Sequence, residues 1–440
     1  MLHCKVKMFE MKVILKKSTC SAQSVFFTFS LLLASCSLLF AQGSLYSQFG
    51  LGEIVHPSTA QSFAMGGIGT ASKNKSSLEF FSPAVWSVIT QTKFSLGMNY
   101  QGITVKDNLQ SAFYGKGKIA NATLALPVYT PKGIVVGAGF FPVTSMDYAR
   151  THSDIQHGIA FTNENTGIGG LSLLFLGSSY KPNENISLGI QFNYLFGTID
   201  HTETFISSAV QSLSTRNTIS RHNAGNGVTF SSLIDIPAEM CNVRKLNFGI
   251  SFTPQILLTS SNDSLYEYFS GSVVDTSPTQ KITAASNEFR TKIPTRIAVG
   301  LSSKLNERTK IGTDFELQQW KNFTVDGIHP DNFENSFHFA LGGEYINGGE
   351  KSGVSYTDRI AYRLGFSYSK TPLKIFGKSI SEIGVSGGFG FPLEEESRLN
   401  IGMQYVLRGT TSNNLLQENI FRFAISIDGS ETMFVQRQEE

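Results

Sequence analysis

Three short stretches of this sequence carry side chains that could do chemistry. Gly377-Lys378-Ser379 ends like a phosphate-binding loop, but that pattern also requires a glycine where Pro372 stands. His152 and His157 are five residues apart, the wrong spacing for two metal ligands on one helical face. Glu394-Glu395-Glu396 falls in a predicted turn, where a solvated charge cluster is the simpler interpretation. With no Gly-x-Ser-x-Gly elbow that has catalytic partners, the sequence predicts no enzyme, no metal site and no cofactor.

Composition points to a large β protein instead. Charged residues make up 16% of the 440, below the roughly 25% typical of soluble globular proteins, while Gly (41) and Phe (35) are abundant. The formal net charge is +2 and no basic stripe stands out, which disfavours a nucleic-acid binder. A glycine- and phenylalanine-rich chain with few charges fits an all-β protein whose outer face meets lipid.

The N-terminus predicts export. Five lysines precede an apolar stretch over residues 25–40, and Ala41 follows, so residues 1–41 are expected to be a secretory signal peptide. Two alternatives stay open: a membrane-anchoring helix, and a lipobox-like cleavage that would leave a lipidated Cys36. Removal of 1–41 leaves 31 basic and 33 acidic side chains, a net charge of −2. Cys241 is then the one remaining cysteine, so an internal disulfide cannot form.

The rest of the chain repeats a strand pattern. Large apolar residues alternate with small or polar ones over residues 186–196, and the same period of two recurs at 246–252 and 399–407. Each segment therefore has one large apolar face and one face of Gly, Ser, Asn and Gln. A soluble sandwich would carry Lys, Glu and Thr on the second face. Because the segments are also long enough to cross a bilayer, the pattern predicts an all-β fold, a transmembrane antiparallel β-barrel.

The barrel is expected to occupy residues 91–430 and to have about 14 strands, with 16 as the alternative, because bacterial barrels use even strand numbers. Residues 431–440 are a polar C-terminal tail. Short turns are predicted on one rim at 181–185, 306–308 and 394–397. Longer polar stretches are expected to be loops on the other rim, at 149–166, 200–226, 260–286 and 321–335.

Residues 42–90 precede the first predicted strand and do not alternate. The stretch is rich in glycine and apolar side chains, which makes it too hydrophobic for a disordered tail. The bore of a 14-stranded barrel is wide enough to hold it. We therefore predict an N-terminal plug, with an exposed arm packed on the barrel rim as the alternative.

Several short motifs resemble a known family. Gly50-Leu51-Gly52, Ala64-Met65-Gly66-Gly67 and Ser82-Pro83-Ala84 come before the first strand in an order similar to that of the FadL/TodX family of outer-membrane hydrophobic-compound transporters. A later block is also similar, and consists of Ile293-Pro294-Thr295-Arg296, Gly300, Asp314, Glu316, Trp320 and Phe323. Ser82 stands where the family usually has Asn. The opening of the mature chain and its polar tail resemble Bacteroidota-type members.

The resemblance implies a bacterial outer-membrane channel for uptake of hydrophobic compounds, such as long-chain fatty acids or aromatic hydrocarbons. Its N-terminal hatch would gate a lumen site, and the ligand would escape through the wall into the bilayer. The expected partners are a hydrophobic small molecule and outer-membrane lipid, without nucleic acid. The alternative is a FadL-like barrel that serves protein secretion or surface assembly, of the type IX kind, and binds a protein partner. The residues expected to bind ligand, each of which could equally pack the plug against the wall, are Phe49, Leu51, Phe63, Met65, Ile68, Phe80 and Phe81.

Overall fold

The computed structural model describes most of the chain beyond the predicted signal peptide. The described residues are 43–106, 111–156, 158–209, 212–237, 245–270, 274, 277–349, 353–393 and 396–431. The predicted signal peptide (1–41), Cys241 and the tail from residue 432 lie outside these ranges.

Strands make up most of the described residues, as the period of two predicts. In chain order they are β1 (Glu53–Ile54), β2 (Thr92–Lys106), β3 (Ser111–Tyr129), β4 (Ile134–Pro142), β5 (Thr144–Gln156), β6 (Ile159–Gly169), β7 (Ser172–Asn183), β8 (Ile186–Ser207), β9 (Leu213–Ile236), β10 (Lys245–Thr253), β11 (Ile256–Ser270), β12 (Gln280–Ile293), β13 (Arg296–Lys304), β14 (Thr309–Gln318), β15 (Thr324–Val325), β16 (Ser336–Ile346), β17 (Ala361–Ile375), β18 (Lys378–Pro392), β19 (Arg398–Gly409) and β20 (Gln417–Glu431).

Helical structure comes in short pieces. The α-helix α1 (Ala60–Ala64) begins after Thr59, whose hydroxyl accepts a hydrogen bond from the Ser62 N–H at 3.1 Å. The 3₁₀-helices are Leu45–Gln48, Pro83–Val88, Thr130–Lys132, Trp320–Asn322, Thr357–Arg359 and Ser412–Asn414. In the described part of the chain, no helix has both the length and the apolar character needed to cross a membrane.

Fourteen of the strands form a closed antiparallel barrel. These wall strands are β2, β3, β4, β7, β8, β9, β10, β13, β14, β16, β17, β18, β19 and β20. The ring closes where β2 pairs with β20, from Thr92 opposite Glu431 to Lys106 opposite Gln417. Closure pairs the backbone groups at this seam, which an open sheet edge would leave unpaired. The predicted fold class is thus confirmed, and the strand number is 14 rather than 16.

The two faces of the wall differ as the alternation predicts. On β8, the side chains of Leu188, Ile190 and Phe192 point outward and are 44%, 42% and 66% exposed. Between them, Gln191 and Asn193 point inward and are fully buried, with a hydrogen bond of 2.7 Å from Gln191 Nε2 to Asn193 Oδ1. The wall therefore has an apolar outer belt and a polar, small-residue inner face, the pattern of a transmembrane barrel.

Three of the four stretches expected to be loops are strands. Residues 149–166, 200–226 and 260–286 fall mostly within β5, β6, β8, β9, β11 and β12, which pair in that order beyond the apolar belt. Both faces of this extension meet water or other polar groups, so its side chains are polar without alternating and give no strand signal. The fourth stretch, 321–335, is mainly a connection, with β15 inside it.

The ring is continuous through β4, but the wall has a gap beside the first part of β3, between β3 and β5. β4 pairs with β3 from Ala122 to Tyr129, but the chain bends after Pro142, and β5 pairs with β6 and β1 instead. Residues 111–121 of β3 have no strand partner on the β5 side among the described residues. The ammonium group of Lys116 crosses this gap and lies 3.1 Å from the Asp147 carboxylate. Side chains, rather than a backbone ladder, join the wall here.

Residues 43–91, which we call the N-terminal segment, pack against the inner face of the wall. Inward-facing glycines allow this close approach: a methyl group added at Gly189 would overlap the backbone of Ala84, and one added at Gly365 would overlap that of Gly66. The segment is also anchored through Trp86, which is fully buried and packs against Phe175 of β7 with a ring-centroid distance of 5.9 Å. Loss of a buried side chain of this size costs about 3–5 kcal/mol of folding free energy.

Candidate functional site

A cavity of about 140 Å³ lies inside the barrel, between the N-terminal segment and the wall. The segment contributes residues 54–58 and 79–82, and the wall contributes side chains from β7, β8, β13, β14 and β16. A second cavity of about 50 Å³ adjoins it. Both are lined by Ile54, His56, Glu316, Gln318, Trp320 and His338.

One side of the larger cavity is apolar. Phe80 and Phe81 both contact the Phe141 ring, with centroid distances of 4.8 Å and 5.4 Å. Leu173 and Leu195, which are buried on β7 and β8, continue this surface. An apolar surface withdrawn from water binds apolar molecules through the hydrophobic effect.

The other side is polar and contains an ion pair. Arg296 Nη2 lies 2.6 Å from Glu316 Oε2, and the Arg296 guanidinium stacks 4.0 Å from the centre of the Phe81 ring. The His56 ring stacks on the His338 ring at 4.4 Å, so a side chain of the segment meets one of the wall. The Arg296 and Glu316 charges are paired, whereas Arg296 Nη1 and the Trp320 indole N–H are buried without a hydrogen-bond partner among the described residues. These donors can orient a ligand, and the paired charges do not require one that is charged.

Two carboxyl groups mark where the segment meets β14. The Asp314 carboxylate accepts hydrogen bonds from the Gly69 and Thr70 N–H groups at 2.8 Å and 2.7 Å. Glu79 also lines the cavity, and burial, followed by repulsion from Asp314, raises its pKa to about 8. The Glu79 side chain is thus protonated near neutral pH.

A two-residue pairing joins the N-terminal segment to one edge of the gap in the wall. β1 pairs with β5 through Glu53 opposite Ser145 and Ile54 opposite Thr144. Ile54 and Thr144 both line the larger cavity, and β5 forms one edge of the gap. The N-terminal segment also contacts β5 through Ser47, which is hydrogen-bonded to the Asp147 backbone in both directions at 3.1 Å. This edge of the gap is therefore covered by the N-terminal segment, and not by a wall strand.

A buried charge cluster holds β1 in place beside the smaller cavity. Arg408 of β19 is 2% exposed and forms ion pairs with Glu53, with Glu382 at 2.8 Å and with Glu418 at 2.9 Å. Arg422 adds a contact of 3.2 Å to Glu53. Burial alone would raise the pKa of Glu53, but the two guanidinium groups hold it below its usual range. Glu53 is thus an anion fixed to the wall.

The seven predicted ligand-binding residues do not line one common cavity. Phe80 and Phe81 line the larger cavity, and Leu51 lines the smaller one. Met65 and Ile68 instead face a cleft at the rim of short turns, beside Ala340. Phe49 packs on the cluster of Tyr46, Leu373 and Ile380, and Phe63 packs on Gly402. Ligand binding by these residues stays a prediction.

The polar side of the cavity was not predicted as a site. Arg296, Glu316 and Trp320 belong to the block that resembles FadL/TodX proteins. That resemblance is the one sequence feature that could have indicated them as site residues. His56 has no such signal, because its stacking with His338 joins residues far apart in the sequence. No cluster of three or more His, Cys, Asp or Glu suited to a metal ion occurs among the described residues.

Several solved structures share this fold. A CymD monoaromatic hydrocarbon channel is 15% identical, with a TM-score of 0.57, and the match covers 88% of this chain and 100% of that one. A Pseudomonas aeruginosa FadL homologue is 14% identical, with a TM-score of 0.57 and coverage of 86% and 98%. The Pseudomonas putida toluene transporter TodX is 15% identical, with a TM-score of 0.56 and coverage of 87% and 99%.

At these identities the likeness shows the fold, and at that level the resemblance to FadL/TodX proteins is confirmed. No curated protein sequence matches the chain. A family model described as BamG matches residues 24–439, nearly the whole chain. The chain therefore belongs to the BamG family.

Proposed function

We propose that this protein is a bacterial outer-membrane channel for the uptake of hydrophobic compounds, with the N-terminal segment as a hatch over a lumen site. The observation that carries the proposal is the position of the 140 Å³ cavity, which is lined by Ile54 of β1 and by Thr144 of β5, the strand at one edge of the gap. An apolar ligand held there has a short path to the bilayer. It gains about 0.8 kcal/mol for each methylene removed from water.

The size of the cavity favours a single aromatic ring over a long acyl chain. A cavity of about 150 Å³ lined by apolar side chains holds benzene, and the larger cavity here is about 140 Å³. Phe80 and Phe81 provide ring surfaces for offset or edge-on stacking. The descriptions of the structural relatives as monoaromatic hydrocarbon channels and toluene transporters agree with this ligand class.

Release would follow from separation of β1 and β5. The pairing covers two residues on each strand, so it is far weaker than the wall ladders around it. If the hatch shifts and Ile54 leaves Thr144, the cavity opens towards the gap beside Lys116. Outward movement through the wall then delivers an apolar ligand to lipid without crossing water.

Toluene retention by the purified, detergent-solubilised barrel tests the proposal. Headspace gas chromatography should find about one toluene per barrel after excess toluene is removed. Leu195→Trp should abolish retention, because the indole fills the cavity. Leu188→Trp is the matched control on the same strand, since Leu188 faces outward, and it should retain toluene. Equal toluene levels in the two variants would refute a lumen site.

A second candidate is an accessory role in protein secretion or surface assembly, with a protein partner. It is favoured by large apolar side chains exposed at connections on the rim opposite the short turns, where Ile328 is 70% exposed and Phe376 is 77% exposed. Such groups are typical of protein contacts when they lie close together. Native mass spectrometry of the solubilised barrel separates the two roles: an empty lumen with a stoichiometric bound protein would favour the accessory.

A further inference from the structure

The rim of short turns surrounds a wide cleft, which we call the mouth. Its volume is about 1350 Å³, beyond the roughly 300–1,000 Å³ of small-molecule pockets. Its sides are built from residues at the connections between wall strands on this rim, and its floor includes residues 72–76 of the N-terminal segment. The mouth is separate from the two cavities described above, with which it shares no lining residue.

Positive charge dominates the mouth. Among the described lining residues, ten are cationic and four are anionic, a net charge of +6, although the chain after residue 41 has a net charge of −2. The cationic residues are Lys73, Lys75, Lys132, Lys181, Lys245, Lys304, Lys310, Arg359, Arg363 and Arg398. The charge is thus concentrated here and not spread over the protein.

Most of the acidic lining residues already form ion pairs. Asp235 pairs with Lys73 at 2.5 Å, and Glu344 pairs with Arg363 at 2.8 Å. Glu396 pairs with Lys93, a buried residue outside the mouth lining. The existing carboxylates therefore neutralise few of the cations that line the cleft.

Four lysines remain available for an external anion. Lys75, Lys132, Lys181 and Lys245 form no ion pair with any carboxylate in the described ranges. Lys75 lies on the floor, Lys132 in the connection between β3 and β4, and Lys181 and Lys245 at the rim ends of β7 and β10. A concave surface lined by charges of one sign focuses the electrostatic potential and attracts oppositely charged partners.

We propose that the mouth binds an acidic polypeptide segment of a partner protein. The cations come from the floor and from several parts of the rim, so they are distributed over the cleft and not gathered at one point. A chain with carboxylates spaced along it can meet them together, because an extended polypeptide advances about 3.3 Å per residue. Lys73 and Lys75 belong to the N-terminal segment, so the bound chain also contacts that segment directly.

Binding of a fluorescent deca-glutamate peptide to the detergent-solubilised barrel tests the proposal, with deca-glutamine as the neutral probe. Deca-glutamate should bind, its affinity should fall with added salt, and deca-glutamine should not bind. The combined variant Lys75→Gln, Lys132→Gln, Lys181→Gln and Lys245→Gln should weaken deca-glutamate binding at least tenfold.

A variant at the opposite rim is the matched control. Lys106→Gln, Lys321→Gln, Lys374→Gln and Lys378→Gln removes the same charge from exposed positions, and binding should change less than twofold. An equal loss in both variants would overturn the proposal, because it would show attraction by net charge alone. Binding of short-chain phosphatidylglycerol without binding of deca-glutamate would overturn it too, since the occupant would then be a lipid headgroup. Toluene retention by the mouth variant distinguishes this site from the lumen site, and it should be unchanged.

Discussion

At the scale of single residues, Arg408 joins the N-terminal segment to the wall by charge. Its guanidinium group meets one carboxylate from the segment and two from wall strands, and all of them are withdrawn from bulk water. A buried cluster of this kind contributes little net free energy, but removal of its central guanidinium group leaves buried carboxylates with too little countercharge.

Arg408→Leu should therefore lower the free energy of unfolding by roughly 3–5 kcal/mol. Glu418 would then be a fully buried acid without a paired cation, and Glu53 and Glu382 would keep only Arg422. Arg408→Lys keeps the charge and should lose less. Urea unfolding of the barrel in lipid vesicles measures the free energy of unfolding of both variants.

Lys310→Gln is a control, because Lys310 is half-exposed and its ion pair with Glu344 is long, at 3.8 Å. The substitution should lower the free energy of unfolding by under about 1 kcal/mol. An Arg408→Leu cost that small would show the cluster to be dispensable.

Glu79 makes the packing of the N-terminal segment depend on pH. Burial raises its pKa in the folded protein to about 8, against an ordinary value of 4.5. The folded state therefore binds this proton more tightly than the unfolded state does. Its contribution to stability is complete below about pH 4.5 and is lost as the pH rises through about 8.

Hydrogen exchange of the peptides covering residues 60–88 should accordingly increase between pH 6 and pH 9, after correction for the intrinsic rate. Glu79→Gln cannot ionise, and in this variant the corrected exchange should be flat over that range. A wild-type profile that is equally flat would mean that Glu79 ionises freely in the folded barrel.

At the scale of elements, inward-facing glycines determine where the N-terminal segment can lie. A Cβ at Gly365 of β17 would overlap backbone atoms of Met65 and Gly66. Backbone atoms cannot move aside by a change of rotamer, as a side chain can. Gly343 of β16 has more room, since its nearest neighbour to an added Cβ is 3.4 Å away.

Gly365→Ala should displace residues 60–70 from the wall at a cost of about 1–3 kcal/mol, the usual range for overpacking. Hydrogen exchange in these residues should rise by about an order of magnitude. Gly343→Ala carries the same substitution and should leave exchange unchanged. If both variants exchange like the wild type, the segment is not held by this contact.

The wall strands could be predicted from the sequence because their signal is local. On β8 and β19, each side chain is apolar or polar according to the face it occupies, so the period of two is visible without knowledge of the partner strands. The extension of β9 beyond the belt has no such signal, because residues 214–223 meet water or other polar groups on both faces. Polar segments of this kind form strands through tertiary pairing, which a single sequence does not display.

The site was less predictable than the wall. Phe80 and Phe81 could be proposed because an aromatic pair in a non-alternating segment is visible in the sequence. The stacking of His56 on His338 and the pairing of Glu53 with Arg408 could not, since each joins the N-terminal segment to a strand far along the chain. Inward-facing polar residues are also expected in any barrel, and nothing local distinguishes those beside a cavity.

At the scale of the whole molecule, the gap between β3 and β5 and the β1 pairing behind it would form one gate. A disulfide across β1 and β5 tests this. Ile54 and Thr144 are register partners, and the spacing of such partners in antiparallel strands suits a disulfide. In a Cys241→Ser background, Ile54→Cys with Thr144→Cys should block toluene exchange when oxidised, and a reducing agent should restore it.

The matching control is a disulfide between strands that are already part of the wall. Thr104 and Asn419 are register partners on β2 and β20, at the closing seam. Thr104→Cys with Asn419→Cys should leave toluene exchange within twofold of the wild type in either redox state. Free exchange in the oxidised Ile54–Thr144 variant would exclude passage beside β1.

The extension formed by β5, β6, β8, β9, β11 and β12 has a consequence for how the protein meets its surroundings. Strands β8 and β9, at 22 and 24 residues, run as hydrogen-bonded ladders far past the apolar belt. Proteases cut segments that can leave their hydrogen bonds and enter an active site, and a paired strand cannot readily do so. Antibodies raised against linear peptides from residues 199–226 should consequently recognise the denatured chain and fail on intact cells, because the native epitopes are composed of neighbouring strands.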